Sequence, residues 1–455
     1  RGGSPDPPLL CPETTQTMIE SMRSGAGEAS ARGRDRPRMR AYSIGLLALL
    51  LLGLVAGGGG SRAASPEDPG AETIRVFLDR HWTVPVALQG PPPSRFSPLE
   101  ASLAPDACGA CHAPQYADWK TSLHSQSMGP GVRGQTLGMV EEDPETARQC
   151  YTCHAPLSEQ QEIIPGVDRL GFAGLVENPH FDRALQGQGL TCAGCHVRGH
   201  ERFGPPRRDG SLTGAMLREQ LPHNGATRTP AFRRAEFCKG CHQFGPDGYA
   251  LNGKFLENTY NEWKAGPYAA RGIQCQDCHM PDRRHLWRGI HDPEMVRQGV
   301  SIRLVTGKTR YAPGETLTAT LTVTNTGVGH LFPTYVTPKV LVRASLVDGS
   351  GKTVDGTFQE EAIGREVTLD LSQELYDTRI PPGKTHTFAY RRKVPRAGLR
   401  LRVSVVVYPD HFYTRFFEAT LANAPGAPGA PLLREAIEKT RRSPFPIFQE
   451  ERRIS

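Results

Sequence analysis

The pentapeptide Cys108-Gly109-Ala110-Cys111-His112 has the form C-x-x-C-H, and it decides how most of this sequence folds. The same pattern returns four more times, and successive copies begin 42, 42, 46 and 37 residues apart. All ten cysteines after Cys11 belong to this repeat, which indicates one kind of site built five times. The other four copies run from Cys150 through Cys153 to His154, from Cys192 through Cys195 to His196, from Cys238 through Cys241 to His242, and from Cys275 through Cys278 to His279.

The spacing of the repeat has a chemical reason. Two thiols about one helical turn apart can form thioethers with the two vinyl groups of one porphyrin, and the next residue places an imidazole beneath the iron. The repeat therefore predicts five covalently attached haem c groups, bound by all ten of these cysteines. The predicted proximal iron ligands are His112, His154, His196, His242 and His279.

Zinc and disulfide bonds are the alternatives for paired cysteines. A zinc site takes four ligands from two such pairs, which leaves a fifth pair over and gives no reason for the His after every second Cys. Disulfide bonds would not repeat one pentapeptide. Each haem has about 40 residues of its own, too few for a conventional core, so we expect the porphyrins to form the core between short helices and loops.

Ten further His lie outside the motifs, and five distal iron positions need ligands unless one iron is open. His124 is the first candidate because it ends a helix-like segment that begins at Tyr116. It lies only 12 residues after His112, so the two are expected to serve different haems. The alternative for any candidate is an ordinary surface or core histidine. The remaining distal candidates are His200, His223, His285, His291 and His330, the last of which reaches a haem only if the C-terminal region docks on the haem region.

The pattern changes to strict alternation of apolar and polar residues from about Ser301, as in Leu317–Val323 and Leu399–Val407. Period two with turn residues between the runs predicts an antiparallel β-sandwich of the immunoglobulin-like kind. The expected fold class is α+β and multidomain, with a mainly helical and irregular haem-packed domain before the sandwich. The predicted divisions are upstream sequence and signal peptide at 1–64, an N-terminal extension at 65–100, a pentahaem domain at 101–300, the β-sandwich at 301–421, and an Ala/Pro linker with a docking tail at 422–455.

The N-terminal region contains an export signal by its pattern. Arg38-Met39-Arg40 precedes the apolar run 46–56, and small residues follow it. A basic start, a short apolar stretch and small residues are typical of a secretory signal peptide. The run is short for a membrane span, which needs about 20 apolar residues, so an uncleaved anchor is the alternative.

The first haem motif and the segment after it resemble a known family. Cys108 to His112 followed by Trp119-Lys120-Thr121-Ser122-Leu123-His124 resembles the C-x-x-C-H…W-x-x-S-x-H signature of the cytochrome c-554 class, which is related to hydroxylamine oxidoreductase. The resemblance covers roughly residues 100 to 295. It implies that His124 is an axial ligand to another haem, and that electrons pass through stacked, mostly bis-His haems in the periplasm or outside the cell. The chain departs from the four-haem pattern of that class in having five motifs and an appended β domain.

These observations favour an exported pentahaem cytochrome, periplasmic or at the cell surface, over an enzyme. The alternatives are a periplasmic multihaem reductase of nitrite or hydroxylamine type with one open haem, and a structural subunit of an extracellular conductive assembly. Expected partners are other cytochromes or a membrane quinol-oxidising complex, and a homo-oligomer or membrane-associated complex is compatible with the sequence. Among 455 residues, 54 are Lys or Arg and 47 are Asp or Glu, without a long basic run outside the N-terminus, so no nucleic-acid partner is expected.

Overall fold

The computed structural model describes residues 69–454 except 168–170, 172 and 215. The predicted signal peptide and the apolar run 46–56 lie outside these residues, as does Cys11. Within the described part of the chain, no helix is long and apolar enough to cross a membrane.

The first part of the described chain consists of short helices joined by loops, as expected for a region with little apolar core of its own. The helices are α1 (Pro69–His81), α2 (Pro98–Ala101), α3 (Pro105–Gly109), α4 (Ala113–Lys120), α5 (Pro130–Glu142), α6 (Pro144–His154), α7 (Arg183–Gln186), α8 (Cys192–His196), α9 (Glu236–His242), α10 (Thr259–Lys264), α11 (Pro267–Ala270), α12 (Cys275–His279) and α13 (Pro293–Gly299). Single 3-10 turns lie between them at His124–Gln126, Ser158–Gln160, Arg218–Gln220, Pro222–Asn224, Pro230–Arg233 and Pro281–Arg283.

Small sheets complete this half of the molecule. An antiparallel hairpin, a three-stranded sheet and a second hairpin occur among the helices. Their strands are β1 (Ile163–Val167), β2 (Ala173–Glu177), β3 (Val197–Arg198), β4 (Glu201–Gly204), β5 (Thr227–Arg228), β6 (Ala250–Leu251) and β7 (Lys254–Phe255).

The C-terminal half is built from antiparallel strands, as the alternating pattern predicted. One sheet has the order β14-β9-β8, another has the order β11-β10-β15-β16, and β12 pairs with β13. The strands are β8 (Val300–Thr306), β9 (Thr316–Asn325), β10 (Lys339–Val347), β11 (Gln359–Ile363), β12 (Arg365–Val367), β13 (Glu374–Asp377), β14 (Thr385–Lys393), β15 (Arg400–Tyr408) and β16 (Phe445–Arg453).

The two larger sheets share one hydrophobic core. Alternate residues of β9, from Leu317 to Val323, are buried against the alternate residues of β15 on the other sheet. The cluster they belong to contains 24 buried residues. Clusters made only by the helical half contain three to five buried residues among those described. The protein is therefore α+β, with its large apolar core in the strand region.

The chain after β15 contains more regular structure than a linker and a docked tail. Two helices follow it, α14 (His411–Asn423) and α15 (Ala430–Arg441), and the next segment is β16 of the four-stranded sheet. The segment that was expected to dock as an apolar tail thus donates backbone hydrogen bonds as a sheet strand.

The helix pair α14–α15 packs on α5 of the haem half. The contact is close because Gly134 and Gly429 face each other, and a Cβ on Gly429 would clash with the Gly134 carbonyl group. Phe417 of α14 lies against Gly131 in the same way. The two halves are thus packed together along this helical contact.

Candidate functional site

The short helices surround a connected void with a volume of about 3090 Å³, and every C-x-x-C-H motif contributes residues to its lining. A pocket for one drug-sized molecule has a volume of about 300–1,000 Å³. The void is therefore large enough for several molecules of that size, and the motif residues line its walls.

Each motif lies on a helical turn, which places its two cysteines on one side. Helix α6 begins after Asp143, whose side chain accepts a hydrogen bond from the backbone NH of Thr146. Helix α8 begins after Thr191, which caps the NH of Gly194. Such caps satisfy the free NH groups at the start of a helix, so these short motif helices form without long helical neighbours.

Four pairs of imidazole rings face each other across the void. A metal–imidazole bond is about 2.0–2.1 Å long and the ring nitrogen lies roughly 1.2 Å from the ring centre, so two imidazoles on opposite faces of one metal have centres about 6.4 Å apart. The observed ring-centre distances agree with this value in each case. They are 6.5 Å for His112 and His223, 6.3 Å for His242 and His124, 6.3 Å for His196 and His285, and 6.4 Å for His279 and His330.

Backbone carbonyl groups orient most of these rings. Nδ1–H of His196 donates to the carbonyl oxygen of Phe203 at 2.8 Å, and Nδ1–H of His279 donates to that of Arg288 at 2.6 Å. This hydrogen bond fixes the tautomer and leaves Nε2 to bind a metal, the usual arrangement of a ligating histidine. Three of the four rings opposite them make the same kind of bond, His223 to Gly225 at 2.9 Å, His285 to Arg283 at 3.0 Å and His330 to Leu331 at 2.9 Å, whereas Nδ1 of His124 is buried without a hydrogen-bond partner.

The ring of His242 has a different partner. Its Nδ1 lies 2.7 Å from the hydroxyl oxygen of Tyr335, a residue of the loop between β9 and β10. Burial raises the pKa of Tyr335 well above its usual value, so the phenol stays neutral and can accept this bond. Tyr335 had no signal in the sequence, because nothing there links it to a motif in a distant segment.

Burial also keeps four of the paired imidazoles neutral near pH 7. It lowers the pKa of His196, His242 and His330 to about 4, and that of His124 to about 3. Neutral imidazole is the form that binds a metal ion, so no proton has to be displaced from these rings near pH 7.

The proximal residue of the second motif, His154, is in a different position. Its Nδ1–H donates to the carbonyl oxygen of Ser127 at 2.7 Å, as expected for a ligand. Among the ring contacts of the described residues, none involves His154. Among the described residues, the imidazole of the second motif is therefore the one motif imidazole with no second imidazole facing it.

Two of the predicted distal candidates have other partners, although His291 lines the void. Nε2–H of His200 donates to the carbonyl oxygen of Gly90 at 2.9 Å, and His200 is not part of the void lining. Nε2 of His291 lies 3.0 Å from Asp410 in a pair between the two halves. Among the ring contacts of the described residues neither ring faces a motif histidine, and the ligand roles of His200 and His291 stay predictions.

The thiols of different motifs are neighbours. The neighbouring thiol of Cys192 lowers the pKa of Cys108, and that of Cys238 lowers the pKa of Cys275, so the thiols of each pair lie close together. The thiol of Cys153 lies 4.0 Å from the backbone oxygen of Cys241. The first motif is thus next to the third, and the fourth is next to both the second and the fifth.

The donor set fits haem c better than zinc. Within the described ranges, no three His, Cys, Asp or Glu side chains converge where they could hold a metal ion by themselves. Each motif instead offers an imidazole and at least one thiol beside the void, and four of the five motif imidazoles face a second imidazole at the separation of two axial ligands. Thiols for attachment and imidazoles for the iron are the groups that a c-type haem requires.

Comparisons with known proteins agree with this donor set. The family model described as "Cytochrome c554 and c-prime" matches residues 107–168. The crystal structure of a penta-heme cytochrome c552 from Thermochromatium tepidum is similar in fold, with 17% identity and a TM-score of 0.50, over 79% of this chain and 100% of that one.

Two other solved structures are similar only over a quarter of the chain. Northeast Structural Genomics Consortium target SoR45 has 12% identity and a TM-score of 0.15, over 24% of this chain and 72% of that one. A β-glucosidase from Listeria innocua in complex with glucose has 16% identity and a TM-score of 0.14, over 23% of this chain and 14% of that one. These two similarities are too low to inform the fold.

The repeated motif, the family match and the shared fold together define the class of this protein. It is a multihaem c-type cytochrome, a class of electron-transfer protein, and haem c is its cofactor.

Proposed function

We propose that the chain is an exported pentahaem cytochrome that transfers electrons through closely spaced haems, most of them with two His ligands. The observation that carries the proposal is the set of four His–His pairs with ring centres 6.3 to 6.5 Å apart. Histidines that merely fill a core or a surface have no reason to repeat this one separation four times. When bound, haem c supplies a one-electron redox centre at each site.

The proposal assigns a role to each motif residue. The ten cysteines of the five motifs would form the thioethers, and the five motif histidines would be the proximal ligands. The distal ligands would be His223 for the first motif, His285 for the third, His124 for the fourth and His330 for the fifth. His330 lies in the strand half, so the β-sandwich would supply one of the distal ligands of the haem half.

The arrangement of the sites supports rapid exchange between them. Because the first site neighbours the third, and the fourth neighbours the second and the fifth, each site is beside at least one other. Cys195 of the third motif is also near Cys238 and Cys241 of the fourth and contributes to raising the pKa of both thiols. All five sites would then form one connected set.

The remaining parts of the proposal concern location and partners. The apolar run 46–56 after a basic stretch supports export, and periplasmic or cell-surface exposure would bring the protein to other cytochromes or to a membrane quinol-oxidising complex. The strand half, which we propose is immunoglobulin-like, would hold the haem half rather than act as a free module.

Two measurements on the purified protein test the proposal. Acid-acetone extraction should leave the red colour on the polypeptide, and its mass should include five haems. Low-temperature electron paramagnetic resonance of the oxidised protein should show mainly low-spin iron. A haem count other than five, or mainly high-spin iron, would overturn it.

The unpaired His154 favours a second candidate function, a small-molecule reductase of nitrite or hydroxylamine type. An iron with one protein imidazole leaves a position where a ligand can bind. This candidate predicts one high-spin iron, carbon monoxide binding by the reduced protein, and rapid turnover of nitrite or hydroxylamine with an artificial donor. Absence of turnover in a protein with all five haems would leave the electron carrier as the function.

A further inference from the structure

The hydrogen bond between His242 and Tyr335 sets the fourth haem site apart. At the second, third and fifth motifs, the proximal Nδ1–H donates to a backbone carbonyl oxygen. At the fourth motif the acceptor is a side chain, the phenol of Tyr335 at 2.7 Å. That side chain belongs to the strand half of the molecule, whereas His242 belongs to the helical half.

The backbone of Tyr335 is held in a conformation that a bulky residue rarely adopts. Its φ is +65°, in the left-handed region. Such strain persists only where the surrounding structure enforces it, and it is common where a side chain must be aimed. Here the effect of the turn is to bring the phenol to the ring of His242.

Neighbouring residues anchor this turn to the helical half. The hydroxyl group of Thr334 donates to the Glu262 carboxylate of α10 at 3.0 Å. Glu262 in turn pairs with Arg379 at 2.7 Å, and both side chains are at least 95% buried. The turn therefore contacts a buried ion pair immediately beside Tyr335, which limits its movement.

The phenol has a second polar neighbour. The carboxyl group of Glu257 is close to the Tyr335 hydroxyl, and burial raises the pKa of this carboxyl well above its usual value. A hydroxyl that gives its proton to one partner becomes a better acceptor for another, because hydrogen bonds in a chain polarise one another. A Tyr335 hydroxyl that donates to Glu257 would thus be a better acceptor for His242.

We propose that Tyr335 is a positioning residue through which the β-sandwich lowers the reduction potential of the fourth haem. The inference rests on the proposed function. An acceptor on Nδ1–H makes the ligating nitrogen more basic, and a more basic ligand favours the oxidised iron. The fourth site neighbours the second, the third and the fifth, so its potential would control how electrons divide among these three.

The test compares two Tyr→Phe variants of the full haem-loaded protein. Tyr335→Phe removes the acceptor and keeps the ring. Tyr249→Phe is the matched control, because its hydroxyl bonds the Leu371 carbonyl oxygen at 2.6 Å across the same contact between the halves without touching a haem ligand. The readout is a potentiometric titration of all five haems followed by absorption and electron paramagnetic resonance.

Tyr335→Phe should raise one of the five potentials, with about a tenfold change in the oxidised-to-reduced ratio of that iron, or about 59 mV for a one-electron couple. The low-spin signal of the same iron should change, and the other four potentials should stay as in Tyr249→Phe. Potentials that match the control, or an equal shift of all five, would overturn the inference.

A second variant covers the case in which Tyr335→Phe does not retain its haems. Glu257→Ala keeps the Tyr335 ring and its contact with His242 but removes the carboxyl group beside the hydroxyl, and it should raise the same potential by a smaller amount. No shift in Glu257→Ala would then overturn the inference. Failure of the proposed function is recognised separately, in the unsubstituted protein, by a haem count other than five.

Discussion

His124 illustrates what single residues contribute to this protein. Its position at the end of a helix-like segment predicted a ligand role toward a haem other than that of His112. In the structure its ring centre lies 6.3 Å from that of His242, and burial lowers its pKa to about 3. Its role as a ligand stays a prediction, which substitution tests directly.

Replacing His124 with alanine should open the iron at the fourth motif. We expect His124→Ala to convert one low-spin haem to high-spin and to let carbon monoxide bind the reduced protein, because the distal imidazole is removed. Electron paramagnetic resonance and carbon monoxide difference spectra measure both effects. His200→Ala is the control, since that ring donates to Gly90 away from the void. An unchanged spin state in His124→Ala would contradict the assignment.

At the scale of elements, the sequence predicted the repeated motifs and the alternating strands but missed β16. Its segment contains Pro446, which lacks a backbone NH and normally argues against a strand. The structure accommodates this proline because β16 is an edge strand and its pairing with β15 is irregular between Val405 and Val406. Edge position and irregular pairing are properties of the assembled sheet, which no local pattern reports.

Four of the six distal candidates face a motif histidine, but which motif each one faces could not be predicted, for a similar reason. His223 and His330 reach motifs that lie far from them in the sequence, and the pairing depends on how loops close around the void. His200, four residues after His196, looked equally suitable in the sequence, but a turn directs it to Gly90. Proximal ligands could be predicted because their chemistry is local, whereas distal ones depend on tertiary structure.

The ion pair between α10 and the segment before β14 should be important for stability. Arg379→Ala leaves the buried Glu262 carboxylate without its partner, and breaking a buried pair in this way costs about 3–5 kcal/mol. Urea unfolding followed by circular dichroism measures the change. Arg343→Ala, which removes a partly exposed pair with Glu360, should cost only about 0–1 kcal/mol. Equal effects of the two substitutions would contradict this prediction.

At the scale of the whole molecule, the two halves differ in what stabilises them. The strand half has a core of 24 buried residues, whereas the clusters made only by the helical half have three to five. About 40 residues per haem cannot form a self-sufficient core. The helical half should therefore depend on its cofactors for folding, and the strand half should not.

Production of the chain without haem attachment tests this difference. We expect residues 101–300 to be rapidly cleaved by protease, and the sheets of the strand half to remain protected, because only the latter bury a core without haem. Limited proteolysis with mass spectrometry of the fragments locates the cleavage sites. Protection of the helical half in the haem-free protein would contradict the prediction.

Acid should weaken the contact between the halves. Burial raises the pKa of Asp377, but hydrogen bonds from Arg379 and Lys254 outweigh it and hold the pKa well below its usual value. A carboxyl group with a lowered folded-state pKa stabilises the protein above its unfolded-state pKa of about 3.9, and this contribution is lost as the pH falls through the folded-state pKa. Melting temperatures between pH 2 and pH 7 should thus show Asp377→Asn to be less stable at neutral pH, with the difference shrinking in acid. A difference independent of pH would contradict the assignment.

The backbone acceptors of the proximal imidazoles have a consequence for how the protein tolerates mutation. A carbonyl group is present whatever side chain a residue carries, so drift in sequence at Ser127, Phe203 or Arg288 leaves the hydrogen bond of its histidine available. The phenol beside His242 has no such protection, because one substitution removes it. The second, third and fifth sites therefore keep this hydrogen bond when side chains change. A single substitution at Tyr335 removes it from the fourth site and leaves the other three unchanged.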